Sequence, residues 1–221
     1  LEILYEDKDV LVVNKPAGLL TVGTPTNKTR TAHYILADYI RKGSLKSRNR
    51  IFVVHRLDQW TSGVLVFAKS QHVKLRLQAQ WKDTQKKYLA VVHGSPARKQ
   101  DTITSYLAQN KAYVVYSTTD AAKGKLAHTT YKVLKETKQF SLLEINPLTG
   151  RKNQIRVHLT DIGHPIVGDR KYGKAPDEHR RLALHSKAIS FKHPVTGKPM
   201  TFETRLPAYF KELMGRDADS Q

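Results

Sequence analysis

His55-Arg56-Leu57-Asp58-Gln59-Trp60-Thr61-Ser62-Gly63 sets a single carboxylate between two apolar runs, Ile51 to Val54 and Val64 to Ala68. Short apolar runs bounded by turn residues read as strands, and Thr61, Ser62 and Gly63 read as the turn after Asp58. A loop held between two strands keeps a reactive side chain in fixed geometry. Asp is equally at home in an ordinary turn. The stretch alone leaves both readings open.

Upstream, Glu2 to Tyr5 and Val10 to Asn14 read as short strands that end at Lys15-Pro16-Ala17-Gly18. Thr31 to Ile40 carries Ala32, Ile35, Leu36, Tyr39 and Ile40 at helical spacing. Arg41 to Arg50 follows, with five cations and no acid, and reads as a solvated loop or a phosphate contact. Downstream, Ser70 is placed to cap a helix reaching about Trp81. Strands are expected over 87–93, 102–107, 112–118, 129–134 and 140–146, and a helix over Arg151 to Ile162. Strands near 188–192 and 200–204 and a short helix from Pro207 close the chain. No repeat or linker divides it. The pattern predicts a single α+β domain over residues 1–221, its sheet mixed but largely antiparallel and flanked by helices.

The charge balance narrows the partners. Lys and Arg number 38 against 19 Asp and Glu, a net +19 over 221 residues, which points to a polyanion such as RNA. No stretch approaches the roughly 20 apolar residues of a membrane-spanning helix. Cysteine is absent, which removes disulfides and thiolate metal sites and suits a reducing, cytoplasmic setting.

Two further segments carry chemistry. In Lys86-Lys87-Tyr88-Leu89-Ala90-Val91-Val92-His93-Gly94, Tyr88 opens an apolar strand, either as core or as a ring with a hydroxyl able to carry a proton. In Leu148-Thr149-Gly150-Arg151-Lys152-Asn153-Gln154-Ile155-Arg156-Val157-His158-Leu159, helical spacing would put Lys152, Asn153 and Arg156 on one face, either solvated or facing a ligand.

These three segments, in this order, resemble the motifs of the RluA-like RNA pseudouridine synthases. Asn14 to Leu19, Gly163 to Asp169 and Leu182 to His185 resemble further stretches of that family, and the likeness runs from about Leu4 to Phe210. The resemblance implies an isomerase that converts specific uridines of ribosomal or transfer RNA to pseudouridine. Asp58 would be the catalytic aspartate, Tyr88 the active-site tyrosine and Arg156 the arginine that pairs with the aspartate. Arg56 would enter the RNA where the target uridine is flipped out, since a planar cation can replace a base in its stack. Lys15, Trp60 and Arg151 are expected to contact the RNA. The reaction breaks the bond from uracil N1 to the anomeric carbon and remakes it through carbon 5. Nothing is oxidised or hydrolysed, so no metal or organic cofactor is implied. A monomer is expected.

Asn153 stands where the family usually has His, and Gln59 and Trp60 replace more usual residues after the aspartate. The small S4 RNA-binding domain of many relatives is not seen in this sequence. A near P-loop at Gly168 to Ala175 is rejected, because Ala175 lacks the metal-binding hydroxyl and Pro176 would cut the following helix short. No His-Glu-x-x-His pattern offers a zinc site. The rival reading is a catalytically idle RNA-binding or RNA-folding protein on the same scaffold, which would not require Asp58, Tyr88 and Arg156 together.

Overall fold

Thr31 and Ser70 start their helices as their side chains favour. Thr31 accepts a hydrogen bond from the Tyr34 amide at 3.0 Å and Ser70 one from the Val73 amide at 3.1 Å. Each such cap stabilises its helix by about 1 kcal/mol. The computed structural model describes residues 1–44, 46–173 and 177–215. In chain order its elements are β1 (Glu2–Glu6), β2 (Val10–Lys15), α1 (Ala32–Arg41), β3 (Phe52–Val53), β4 (Ser62–Ala68), α2 (Gln71–Ala79) and β5 (Gln85–His93). Then come β6 (Gln100–Gln109), β7 (Val115–Thr118), β8 (Lys125–Glu136), β9 (Phe140–Pro147), α3 (Gln154–Asp161), β10 (Leu184–Lys192), β11 (Pro199–Glu203) and α4 (Ala208–Met214). The fold is α+β, as expected. Lys174, Ala175 and Pro176, on which the P-loop comparison turned, lie outside the described residues.

The chain packs as two compact units, Leu1–Lys86 with Ser186–Thr204, and Lys87–His185 with Arg205–Gln221. In the first unit the strands run β1-β2-β4-β10, with β3 paired to β4 and β11 to β10. The β1–β2, β2–β4, β3–β4 and β10–β11 pairs are antiparallel. Val10, Val12, Val64 and Val66 share one face and pack with Val73 and Leu77 of α2 and with Ile189 and Phe191 of β10. That alternation is what a sheet with one helix-covered face requires. In the second unit the order is β5-β9-β8-β6-β7, again antiparallel throughout. Its core joins Val91, Leu143 and Ile145 of the sheet to Ile155 and Leu159 of α3 and Phe210 of α4.

Among the elements that come out shorter than expected, two bear on the site. Only Phe52 and Val53 of the run before Asp58 form strand pairs, so one side of the loop is held by other means. The third helix starts at Gln154 rather than Arg151, because Asn153 takes a left-handed conformation with φ 53°. Asn enters that region more readily than most residues.

Candidate active site

The loop carrying Asp58 is clamped from one side by the segment after β2. The Lys15 ammonium is fully buried and donates to the carbonyls of Pro16 at 3.0 Å, Leu19 at 2.7 Å and Gln59 at 3.0 Å. Gly18 N donates to Gln59 O at 2.9 Å, and the Gln59 side-chain amide returns to Gly18 O at 3.1 Å. Thr21 brackets Leu57, its hydroxyl donating to the Leu57 carbonyl and accepting from the Leu57 amide. Thr61 N closes the turn onto Asp58 O at 3.1 Å. At Gly63, φ is +109° and an added Cβ would lie 2.1 Å from the Ser186 carbonyl, so only glycine fits where the loop enters β4.

Lys15 was expected to touch RNA. It is instead a buried tie between two loops, and a side chain with no exposed surface cannot reach a phosphate. Burial pushes its pKa down to about 7, while the charge of Asp58 acts in the opposite direction. The carboxylate and this ammonium therefore sense one another across the clamp.

Two loop side chains face outward. Arg56 is exposed, and Trp60 is 51% exposed with its ring edge against Gly18, where a Cβ would sit 3.3 Å from the indole. The indole therefore lies at the surface and not in the core. His55 faces inward, its Nε2 accepting from Val66 N at 3.1 Å and its ring centroid 4.5 Å from that of Trp81. Burial, with the Lys86 charge adding to it, pushes its pKa down to about 3. His158 in the second unit is shifted the same way to about 4, mainly by burial. Between pH 6.5 and these values the unfolded chain binds protons that the folded chain does not, so stability is full above pH 6.5 and falls as pH drops. The expected result is a melting temperature that declines from pH 6.5 to 4.5, with a shallower decline in His55→Gln. A slope in that variant as steep as the wild type's would remove His55 as a source of the acid sensitivity.

In the second unit Tyr88 is half-buried on β5 opposite Ile145, its ring packed at the margin of the core. Arg156 lies on α3, buried, and grips Asp169 with two parallel bonds, Nε to Oδ2 at 2.8 Å and Nη2 to Oδ1 at 2.7 Å. The Tyr172 ring lies 4.9 Å from the guanidinium carbon, and its hydroxyl donates to Asn153 Oδ1 at 3.1 Å. The expected basic face of α3 does not form. Lys152 and Asn153 precede the helix, and the side of α3 that holds Arg156 turns into the protein. Arg151 is exposed, with Nε donating to the Leu126 carbonyl at 3.0 Å.

Among the described residues, Asp7, Asp9 and His193 are the one group with metal-ligand spacing. Asp7 and His193 are already engaged. His193 Nδ1 accepts from the Val195 and Thr196 amides, which leaves the proton on Nε2 to bond Asp7 at 3.0 Å. Asp7 Oδ1 accepts from the Asp9 and Val10 amides. The knot braces the turn between β1 and β2.

A sequence model of RNA pseudouridylate synthase matches residues 9–161, a span that contains the clamp, Asp58, Tyr88 and Arg156. The chain belongs to the RNA pseudouridine synthase family. It is 38% identical to an uncharacterized RNA pseudouridine synthase, YlyB, of Bacillus subtilis, over 97% of this chain and 72% of that protein. It is 35% identical to ribosomal large subunit pseudouridine synthase C of Rickettsia bellii, over 96% of this chain and 70% of that one. Among solved structures, human RNA Pseudouridylate Synthase Domain Containing 4 aligns with a TM-score of 0.77 at 25% identity, covering 95% of this chain and 90% of its own. The family expected from six short segments is thus borne out, and with it the reaction class, an isomerisation of uridine in RNA. Lys15 and Asp169 stand within family-like stretches, but nothing local in the sequence shows what they hold. A lysine set four residues before the Leu19 carbonyl that it bonds, and an aspartate thirteen after an arginine, give no local signal.

Proposed function

We propose that this pseudouridine synthase modifies specific uridines of ribosomal or transfer RNA, with Asp58 as its catalytic aspartate. The observation that carries the proposal is the clamped loop. It fixes one carboxylate between an exposed Arg56 and a half-exposed Trp60, in a chain of net charge +19. The names of relatives that act on the large ribosomal subunit make its RNA the first substrate to try.

The family resemblance gives Arg156 the role of the arginine that serves the catalytic aspartate. Two bonds to Asp169 give the buried guanidinium the fixed direction that this role requires. Tyr88 forms a wall of the uracil site, and Arg56 fills the stack that the flipped uridine leaves. The N1–C1′ bond breaks, a C5–C1′ bond forms, C5 gives up its proton and N1 ends protonated. The balance requires neither metal nor organic cofactor. Residues 1–221 act as one catalytic domain, since the family match runs from the first unit into the second. The enzyme works as a monomer in the cytoplasm. No helix among the described residues is long and apolar enough to cross a membrane. Incubation with transcribed large-subunit RNA and tRNA, followed by carbodiimide mapping, tests the proposal, and absence of pseudouridine from every transcript would favour the idle RNA-binding rival.

Trp60 and Arg151 contact the RNA beside the target. Base stacking on an aromatic ring is worth about 1–3 kcal/mol by alanine substitution. Trp60→Phe, which keeps a smaller ring, is expected to weaken RNA binding measurably while the melting temperature hardly changes. Unchanged affinity would remove the indole from the RNA path.

A further inference from the structure

The basic run after α1, which the catalytic reading leaves unused, lines a cavity. Glu6, Lys8, Tyr39, Lys42, Arg50 and Lys69 bound a concave space of about 390 Å³ in the first unit. Four of these groups are cations and one is a carboxylate. That carboxylate is engaged, since Glu6 takes Lys69 at 2.5 Å and the Tyr39 hydroxyl at 2.8 Å. Among the described residues, Lys8, Lys42 and Arg50 form no ion pair. The walls are set in place by Asn49, whose amide donates to Ile40 O at 3.0 Å, and by Arg50, which donates to Ser47 O at 2.8 Å and Asn49 O at 3.0 Å. Lys42 is held in a left-handed conformation, φ 51°, as the C-cap of α1. A cation near the α1 carbonyls would account for Lys42 alone. It leaves Lys8 and Arg50, from different segments, converging on the same space.

We infer that this cavity is a second RNA contact, binding a backbone phosphate of the substrate far from the target uridine. The inference rests on the RNA-substrate reading above. The distance comes from the strands. Val10 pairs with Ala68 near the cavity, whereas Lys15 pairs with Gly63 beside the Asp58 loop, at the other end of the same two strands. Five residues at about 3.3 Å each separate the ends by about 17 Å. The phosphates of the target nucleotide itself do not span that gap, so the cavity takes a phosphate of a neighbouring part of a folded RNA. It adds affinity for long substrates and leaves the chemical step alone.

Lys8→Gln/Lys42→Gln tests this, because it removes two charges and keeps polar side chains only one atom shorter. The probes are a full-length large-subunit RNA transcript and the shortest transcribed stem-loop that the wild type still binds. Each neutralised phosphate contributes about 0.7–0.9 to the slope of log affinity against log salt, so loss of this one contact should lower the slope on the long transcript by about 0.7–0.9. Affinity for it should drop about threefold to tenfold near 0.15 M salt, with the single-turnover rate at saturation unchanged. The stem-loop should bind both proteins alike. An unchanged slope on the long transcript, or equal losses on both probes, would overturn the inference. So would thermal stabilisation of the wild type by inorganic phosphate, lost in the variant, with RNA affinity unchanged, since the cavity would then serve a small free anion. If the wild type makes no pseudouridine, the catalytic reading fails, while the salt slope still judges the cavity by itself.

Discussion

Asp58→Asn is expected to abolish pseudouridine formation on every RNA that the wild type modifies. The change is nearly isosteric and removes one charge, so the clamp around the loop, which is built from the backbone of residues 57–61, should persist. RNA affinity should stay within about tenfold, because phosphate contacts dominate it and a carboxylate supplies none. The single-turnover rate should fall at least about a thousandfold, or about 4 kcal/mol of transition-state stabilisation. Mass spectrometry after cyanoethylation of the product reads the outcome directly. Product from the Asn variant above trace level would remove Asp58 from the chemistry. Wild-type turnover in excess EDTA, with the RNA still folded, should match that without it, and its loss would show that the reaction needs a metal.

The second large effect is expected at the buried ion pair that holds Arg156. Asp169 is wholly inaccessible and holds Arg156 through two bonds while accepting the Lys171 and Tyr172 amides on Oδ1. In Asp169→Asn the guanidinium stays buried and loses its counter-charge. Breaking one partner of a buried pair costs about 3–5 kcal/mol. Urea unfolding should show a loss of that order, and turnover should fall in the fraction that remains folded, because Arg156 no longer has a fixed direction. A stability within 1 kcal/mol of the wild type, on the roughly ±0.5 kcal/mol scale of ordinary surface changes, would mean that Asp169 is not what holds Arg156.

Local signals carried the fold a long way. Thr31 and Ser70 announced their helices, alternation announced β8 and β9, and Gly63 marked the turn into β4. What stayed hidden depends on atoms distant in sequence. Lysine is rarely buried, and only the meeting of the Pro16, Leu19 and Gln59 carbonyls makes Lys15 an exception. The delayed start of α3 follows from one left-handed residue, Asn153, whose hydroxyl partner Tyr172 is nineteen positions away. Arg156 was legible as a site residue because of its motif. Its burial was not, since spacing alone cannot tell a solvated basic face from one turned inward. The seat of the Trp60 ring on Gly18 was likewise illegible, because the two residues are distant in sequence.

The Lys15 tie also has a meaning for chemistry outside the site. It closes a 44-residue stretch between itself and Gln59, a task that extracellular enzymes commonly give to a disulfide. This chain has no cysteine. Its cross-link is an ammonium shared by three carbonyls, which forms without an oxidant, is untouched by thiols and remakes itself whenever the chain refolds. The geometry around Asp58 is therefore indifferent to redox conditions, and its weak point is instead any reaction or substitution that neutralises a single amine.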